Sequence, residues 1–132
     1  MTNVLAVVDP TKIALIKDLF GKDGMPLPFV KEIFLVQCHV AGTTYKDPEN
    51  FEAGLKEGNI LTFKRDADNK YDKLAISIFD ESGNHIGYVP RDKNEILARL
   101  MDGGKLIFGK VREKQWVNNW LKINIKIYIR DF

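Results

Sequence analysis

The C-terminal sequence LKINIKIYIR, at residues 121–130, alternates strictly between apolar and polar side chains. Leucine or isoleucine occupies every odd position, and lysine, asparagine, tyrosine or arginine occupies every even one. Because successive side chains of a strand point to opposite faces of a sheet, this period of two predicts a strand. One face of that strand is expected to be buried and the other to be wet.

Five other segments have the composition of strands. They cover residues 32–42, 59–65, 73–79, 84–90 and 106–116. The first of them, EIFLVQCHVAG, is a near-continuous apolar run that ends in a glycine turn, so we expect a buried strand there. The sequence DESGN predicts a hairpin turn between the third and fourth segments, and WVNN supplies the turn before the last strand.

Helical signals occur at three places. Apolar residues in TKIALIKDLF have helical spacing, and Gly21 follows as a stop signal. Asp47, Pro48 and Gly58 stand where an N-cap, a first helical position and a C-terminal stop would be, and they predict one short helix. Asp92 begins the third predicted helix.

Asp92 and Glu95 have the spacing of a capping box. The residues expected on the apolar face of this helix are Ile96, Leu97, Leu100 and Met101. Gly103 and Gly104 predict its end.

About six strands with two short helices indicate a mainly β fold, a small closed or partly open antiparallel barrel. A parallel α/β sheet is less suitable because it needs a helix between successive strands. We expect this barrel over residues 31–132, preceded by a helical and extended segment over residues 1–30. That segment is expected to pack on the domain or to exchange with a neighbouring copy.

The overall composition is that of a soluble globular protein. Apolar residues make up 45% and charged residues 29%, with a net charge of +2. Uncharged apolar runs fall short of the roughly 20 residues that span a membrane. No basic stretch precedes the short apolar one at the N-terminus, so we expect no signal peptide, no membrane association and a cytoplasmic location.

Metal binding and catalysis have little support in the sequence. Cys38 is the single cysteine, and with only His39 and His85 beside it a closed zinc site would need carboxylates or a second chain. Asp66 and its neighbours lack the glycine and glutamate of a calcium loop, which favours a turn. No nucleophile elbow, phosphate loop, zinc-protease or dinucleotide motif occurs. We therefore expect no catalytic residue, no metal and no cofactor.

Local charge is more informative than net charge. Residues 105–130 carry seven basic residues and one acidic residue, together with Trp116, Trp120 and Tyr128. Cations interleaved with rings are how a barrel binds single-stranded nucleic acid. The same pattern also describes a solvated strand whose lysines prevent edge pairing. The charge pattern leaves both interpretations open.

Three segments together resemble the HIRAN domain family. They are VAGTTY at 40–45, LTFKRDADNKYDKLAI at 61–76 and HIGYVPR at 85–91. The family pattern has Gly-x-x-Tyr after the first strand, then Asn-x-Tyr-Asp-x-x-Ala-Ile, then a Gly-Tyr or Gly-His hairpin strand. The resemblance covers about residues 33–110, and it implies an OB-like or SH3-like barrel that binds the 3′ end of single-stranded DNA.

The resemblance also implies roles for particular residues. Tyr45 and Tyr71 would stack on the terminal bases, and Asp72 would accept a hydrogen bond from the free 3′ hydroxyl. The chemistry of the side chain favours the same role, because an ionised carboxylate accepts a hydrogen bond from a hydroxyl and repels a phosphate. One aspartate in a stacking pocket would therefore distinguish a strand that ends in a hydroxyl from one that ends in a phosphate.

Further positions follow from the same resemblance. Asn69 falls on a polar contact position, Arg91 on a phosphate contact, and Tyr88 next to the pocket. Lys70 stands where proline is frequent, so it either loosens the loop or supplies a cation. Thr44 and Leu74 depart from the pattern, replacing an arginine and an asparagine, which removes one phosphate contact and one loop hydrogen bond.

The resemblance implies a role in DNA repair or replication-fork processing. Relatives are often fused to ATP-hydrolysing motor domains, so the helicase, ATPase or nuclease activity is expected to come from a separate partner. Two other classes remain open. One is a protein-interaction module, in which the helix at 11–20 and the side chains of Trp116 and Trp120 contact another chain. That other chain could be a second copy of this one. The other is hydrolysis of a nucleotide or DNA end by the aspartates, which predicts metal-dependent turnover.

Overall fold

The structure is a computed structural model that describes residues 31–131. Its strands are β1 Lys31–His39, β2 Ile60–Arg65, β3 Ile76–Phe79, β4 His85–Tyr88, β5 Leu106–Val117 and β6 Trp120–Asp131. One α-helix, α1, spans Arg91–Asp102, and short 3₁₀ turns span Thr43–Lys46, Pro48–Asn50 and Glu52–Gly54. The six predicted strands are confirmed. The segment 1–30, with its predicted helix, lies outside the described residues.

All strand pairs are antiparallel, in the order β1-β6-β5-β2-β3-β4. The chain leaving β1 returns to the far side of the sheet, where the backbone groups of Ala41 and Tyr88 exchange two hydrogen bonds of 2.8 Å. This bridge curls the sheet into a half-barrel. The mainly β, OB-like prediction is therefore confirmed.

Strand β6 runs through the centre of the core. Its odd-numbered residues from Leu121 to Ile127 are fully buried, as the alternation predicts. They pack against buried apolar side chains of the other strands, including Leu61, Ile78 and Val111. Since burial of apolar surface contributes roughly 25 cal/mol per Å², this row is a major source of the stability of the barrel.

Strand β1 differs from its prediction. It lies at an edge of the described sheet, and Ile33, Phe34 and Leu35 remain 36–51% exposed. The prediction of a buried strand was wrong, because an apolar run does not distinguish a central strand from an edge strand that carries apolar side chains on both faces. Cys38, on the same strand, is half-buried.

The predicted helix at 47–58 is also wrong. Pro48 does begin a helical turn, but the turn is of the 3₁₀ type and ends at Asn50. Phe51 then leaves the helical region, with φ −131° and ψ −9°, and a second short turn follows. Asn50 and Gly54 are weak helix formers, so the segment lacks the propensity to maintain a continuous α-helix around Phe51.

The helix α1 is present, but it begins at Arg91, with Pro90 as N-cap and no side-chain cap. Asp92 therefore lies inside the first turn, and the predicted capping box is wrong. Leu97 faces the core, whereas Ile96 is exposed. The predicted end is correct, since the Gly103 N–H bonds the carbonyl oxygen of Arg99 at 3.0 Å. Within residues 31–131, no helix is long and apolar enough to cross a membrane.

Candidate functional site

A pocket of about 370 Å³ lies where the half-barrel closes. Three parts of the chain form it: the segment after β1, the loop between β2 and β3, and the junction of β4 with α1. The residues that line it are Ala41, Gly42, Tyr45, Lys46, Asn69, Tyr71, Asp72, Ala75, Tyr88, Val89, Arg91 and Asn94. Six of the seven residues predicted for binding are in this set, and Lys70 is not.

Two aromatic rings stand out from the surface at this pocket. Tyr45 is 86% exposed and Tyr71 is 83% exposed. A ring that packs at the rim of a barrel would lose most of its surface to its neighbours, so neither tyrosine serves the fold in that way. Their faces are free to stack on a planar ligand.

Asn69 shapes the loop that presents Tyr71. Its Oδ1 accepts hydrogen bonds from the backbone N–H groups of Tyr71, at 2.9 Å, and Asp72, at 3.1 Å. Its Nδ2 donates to the Asp66 carboxylate at 3.0 Å. Asparagine commonly stabilises turns by bonding backbone groups a few residues ahead. In this structure the Asn69 side chain is therefore engaged within the loop.

Both carboxylate oxygens of Asp72 are held. Oδ1 accepts from the Leu74 N–H at 2.9 Å, and Oδ2 accepts from Nδ2 of Asn94 at 2.8 Å. The Leu74 and Asn94 hydrogen bonds, assisted by the charges of Arg91 and Arg65, hold the pKa of Asp72 below its usual value. The carboxylate is therefore ionised at neutral pH, and part of it faces the pocket.

Cationic side chains flank this carboxylate. Arg91 Nε lies 3.7 Å from Asp72 Oδ2, and Arg91 Nη2 donates to the Tyr71 carbonyl oxygen at 3.2 Å. The Arg91 side chain is still 73% exposed. On the other side, Lys46 Nζ lies 5.1 Å from the centre of the Tyr88 ring. The pocket thus combines three tyrosines, one fixed anion and two cations.

His85 supports the Tyr88 side of the pocket from the sheet. Its ring meets the Tyr88 ring edge-on, with ring centres 4.9 Å apart. Burial, together with the charge of Lys46, lowers the pKa of His85 below its usual value of 6.5. We therefore expect a neutral imidazole at pH 7, which adds no charge to the site.

The basic stretch at 105–130 lies largely outside this pocket. On its outer face, Lys110 and Arg130 both pair with Glu32 at 2.9 Å. Two further cations of the stretch, Arg112 and Lys114, also have carboxylate partners. Because more than half of its seven cations are paired within the chain, the stretch has the character of a solvated strand face.

Metal binding has no support in the described part of the chain. Across residues 31–131, no three His, Cys, Asp or Glu side chains are grouped so that they could hold a metal ion. In the β2–β3 loop, Asp66 accepts a hydrogen bond from the Asn69 side chain and Asp72 accepts one from the Leu74 N–H, as the turn interpretation predicts.

Two polar residues of the pocket, Lys46 and Asn94, were not predicted from the sequence. Lys46 follows directly after Tyr45, so a search for cations beside the predicted stacking rings would have found it. Asn94 is 22 positions away from Asp72 in the sequence and reaches it only through the packing of α1. No local signal in the sequence indicates that contact.

Comparison with solved structures gives the same fold. A protein from Lactobacillus plantarum matches with a TM-score of 0.71 and 24% identity, covering 78% of this chain and 99% of that one. The HIRAN domain of human HLTF matches with a TM-score of 0.60 and 24% identity, covering 76% and 79%. The HLTF HIRAN domain in its DNA-bound conformation matches with a TM-score of 0.55 and 24% identity, covering 76% and 80%.

No curated protein matches the sequence significantly. The family model of the HIRAN domain, however, matches residues 33–130. That match extends the predicted resemblance through β5 and β6 to include the core strand. The chain belongs to the HIRAN domain family.

Proposed function

We propose that this chain binds single-stranded DNA and recognises its 3′ end at the pocket. The observation that carries the proposal is the pair of exposed rings, Tyr45 and Tyr71, beside the oriented carboxylate of Asp72. The DNA-bound conformation known for the HLTF HIRAN domain supports DNA as the ligand class.

Stacking and hydrogen bonding have separate roles in this proposal. Tyr45 and Tyr71 stack on the terminal bases, at roughly 1–3 kcal/mol per base, whatever the base is. Asp72 accepts a hydrogen bond from the 3′ hydroxyl. Each of its oxygens has a second lone pair beyond the one that the protein occupies, so acceptor capacity remains. A terminal phosphate would meet the same negative charge and be repelled.

In this proposal the cations of the pocket contact the backbone of the strand. A guanidinium has five N–H donors, and the hydrogen bond from Arg91 to the Tyr71 carbonyl uses only one of them. The remaining donors of Arg91 can bind the phosphate that precedes the last nucleotide. Lys46 contributes a second positive charge to the same path.

The pocket supports binding without chemistry. Asp72 is hydrogen-bonded in its ionised form with a lowered pKa, which suits an acceptor and makes it a weak general base. We infer a cytoplasmic binding module for DNA repair or replication-fork processing, whose motor or nuclease activity comes from a separate partner.

Fluorescence anisotropy with a labelled single strand of about 10 nucleotides tests the proposal. Binding should weaken steeply between about 50 and 200 mM salt, because phosphate contacts release counterions. The variants Lys46→Ala and Arg91→Ala should each reduce the slope of log affinity against log salt by about 1. Lys122→Ala, on the outer face of β6, is the matched control. Absence of salt-dependent binding by the folded protein would refute the proposal.

A protein-interaction module is the second candidate. The exposed apolar residues of the β1 edge, Ile33, Phe34 and Leu35, favour it, as does the exposed Ile96 on α1. Sedimentation of the chain alone measures self-association directly. An apolar interface should be nearly indifferent to salt, in contrast to DNA binding.

A further inference from the structure

The first turn of α1 forms hydrogen bonds with the loop that carries Tyr71 and Asp72. Arg91 and Asn94 are three positions apart on the helix, so their side chains leave the same face. Arg91 Nη2 donates to the Tyr71 carbonyl oxygen at 3.2 Å, and Asn94 Nδ2 donates to Asp72 Oδ2 at 2.8 Å. The helix therefore holds both the backbone and the side chain of the dipeptide.

Asn94 is an unusual residue for its position. It is only 3% exposed, and it is the sole amide among the buried polar residues of the described chain. A buried amide without a partner is costly, and an apolar residue would pack against the core at less expense. The Asp72 carboxylate is the partner that the structure provides, so the contact explains why an amide is tolerated here.

The other contacts of Asp72 leave the direction of its carboxylate less defined. The terminal torsion of an aspartate is broad, and the single hydrogen bond from the Leu74 N–H to Oδ1 restrains it only in part. Arg91 Nε at 3.7 Å and the more distant Arg65 supply charge rather than a hydrogen bond. Among residues 31–131, only Asn94 donates a short, directed hydrogen bond to Oδ2.

We propose that Asn94 is a positioning residue that orients the Asp72 carboxylate for recognition of the 3′ hydroxyl. This inference rests on the proposed function, because it assigns to α1 a part in the selectivity of that same pocket. Asn94 acts through Asp72, and recognition of the end therefore depends on the docking of α1 against the β2–β3 loop.

The test removes the amide and preserves the packing. Asn94→Leu is nearly isosteric, and Asn94→Ala serves as a second variant if the leucine disturbs folding. The matched control is Asn84→Ala, which removes an amide-to-carboxylate bond of 3.0 Å to Asp80 in the hairpin turn, away from the pocket. Each variant is made in the whole 132-residue chain and compared with the wild type.

Two measurements are made on each variant. The first is the titration of the Asp72 carboxyl in the free protein, followed by carbon NMR. The second is the ratio of affinities for one single strand that ends in a 3′ hydroxyl or in a 3′ phosphate. Either Asn94 variant should raise the pKa of Asp72 toward its usual value and reduce the affinity ratio by about tenfold. Asn84→Ala should change neither quantity.

The two measurements separate this inference from the function on which it rests. If the wild type prefers the hydroxyl end but both Asn94 variants keep its Asp72 titration and its preference, the positioning role is overturned and the proposed function stands. If the wild type binds no single strand, the proposed function fails. The role in end recognition fails with it, even where the titration shows that Asn94 holds the carboxylate.

Discussion

Replacing Tyr71 with alanine should weaken DNA binding while leaving the fold unchanged. Tyr71 is 83% exposed, and its ring does not pack in the core. The contacts that fix the residue are made by its backbone: its N–H donates to Asn69 Oδ1, and its carbonyl oxygen accepts from Arg91. Alanine keeps both groups, so the free energy of unfolding should change by less than about 0.5 kcal/mol.

The loss in binding should be much larger than the loss in stability. One stacked base is worth roughly 1–3 kcal/mol, which corresponds to roughly 5- to 150-fold in affinity. Tyr45→Ala, with a ring that is 86% exposed, should give a loss of similar size. Trp116→Ala is the control, because it removes an exposed aromatic ring on β5 outside the pocket and should leave affinity unchanged.

Anisotropy titrations and thermal melts of the same samples decide the question. A change of about 0.5 kcal/mol moves the melting temperature by only about 2–4 °C in a domain of this size. Full affinity in Tyr71→Ala would refute the stacking role. A melting temperature lowered by 10 °C or more would show that Tyr71 supports the fold, and the binding argument would then fail.

Three further predictions concern the pocket and its surroundings. In Gly87→Ala, the new methyl group would lie within 2.5 Å of the Ala41 carbonyl oxygen, so the bridge that closes the half-barrel should open. The free energy of unfolding, measured with urea, should fall by about 1–3 kcal/mol. Unchanged stability would contradict this prediction. The depressed pKa of Asp72 gives stability that is fully present above its usual value of 3.8 and lost as pH falls through the lower folded value. The difference in unfolding free energy between wild type and Asp72→Asn should therefore shrink between pH 7 and pH 2, and a constant difference would count against the linkage. Burial raises the pKa of the Cys38 thiol to about 11. At pH 8 a thiol reagent should therefore react far more slowly with the folded chain than with the urea-unfolded chain. Equal rates would show that the thiol is accessible in the folded protein.

The strands were predictable because their signals are local. The alternation in β6 depends on side-chain directions that any strand has, and the buried odd-numbered residues follow from it. The β3–β4 hairpin follows from turn residues between two apolar runs, and β3 and β4 do pair. The seven candidate site residues came from the resemblance to the HIRAN family, and six of them line one pocket.

The errors arose where distant parts of the chain decide local structure. Strand β1 has a sequence typical of a buried strand, but its place at the edge of the sheet follows from which strands pair with β6. The segment at 47–58 has the signals of a helix, yet the chain leaves helical geometry at Phe51, whose side chain is buried in the core. Asn94 reaches Asp72 across 22 positions, and only the docking of α1 brings them together.

The most direct test of the central claim compares one labelled single strand with a 3′ hydroxyl and the same strand with a 3′ phosphate. Asp80→Ala, which removes a carboxylate in the β3–β4 turn, is the control for Asp72→Ala. We predict that wild type and Asp80→Ala bind the hydroxyl end more tightly and that Asp72→Ala binds both ends equally. Equal binding of the two ends by the wild type, or a hydroxyl preference that survives Asp72→Ala, would contradict the recognition of the 3′ end by this carboxylate.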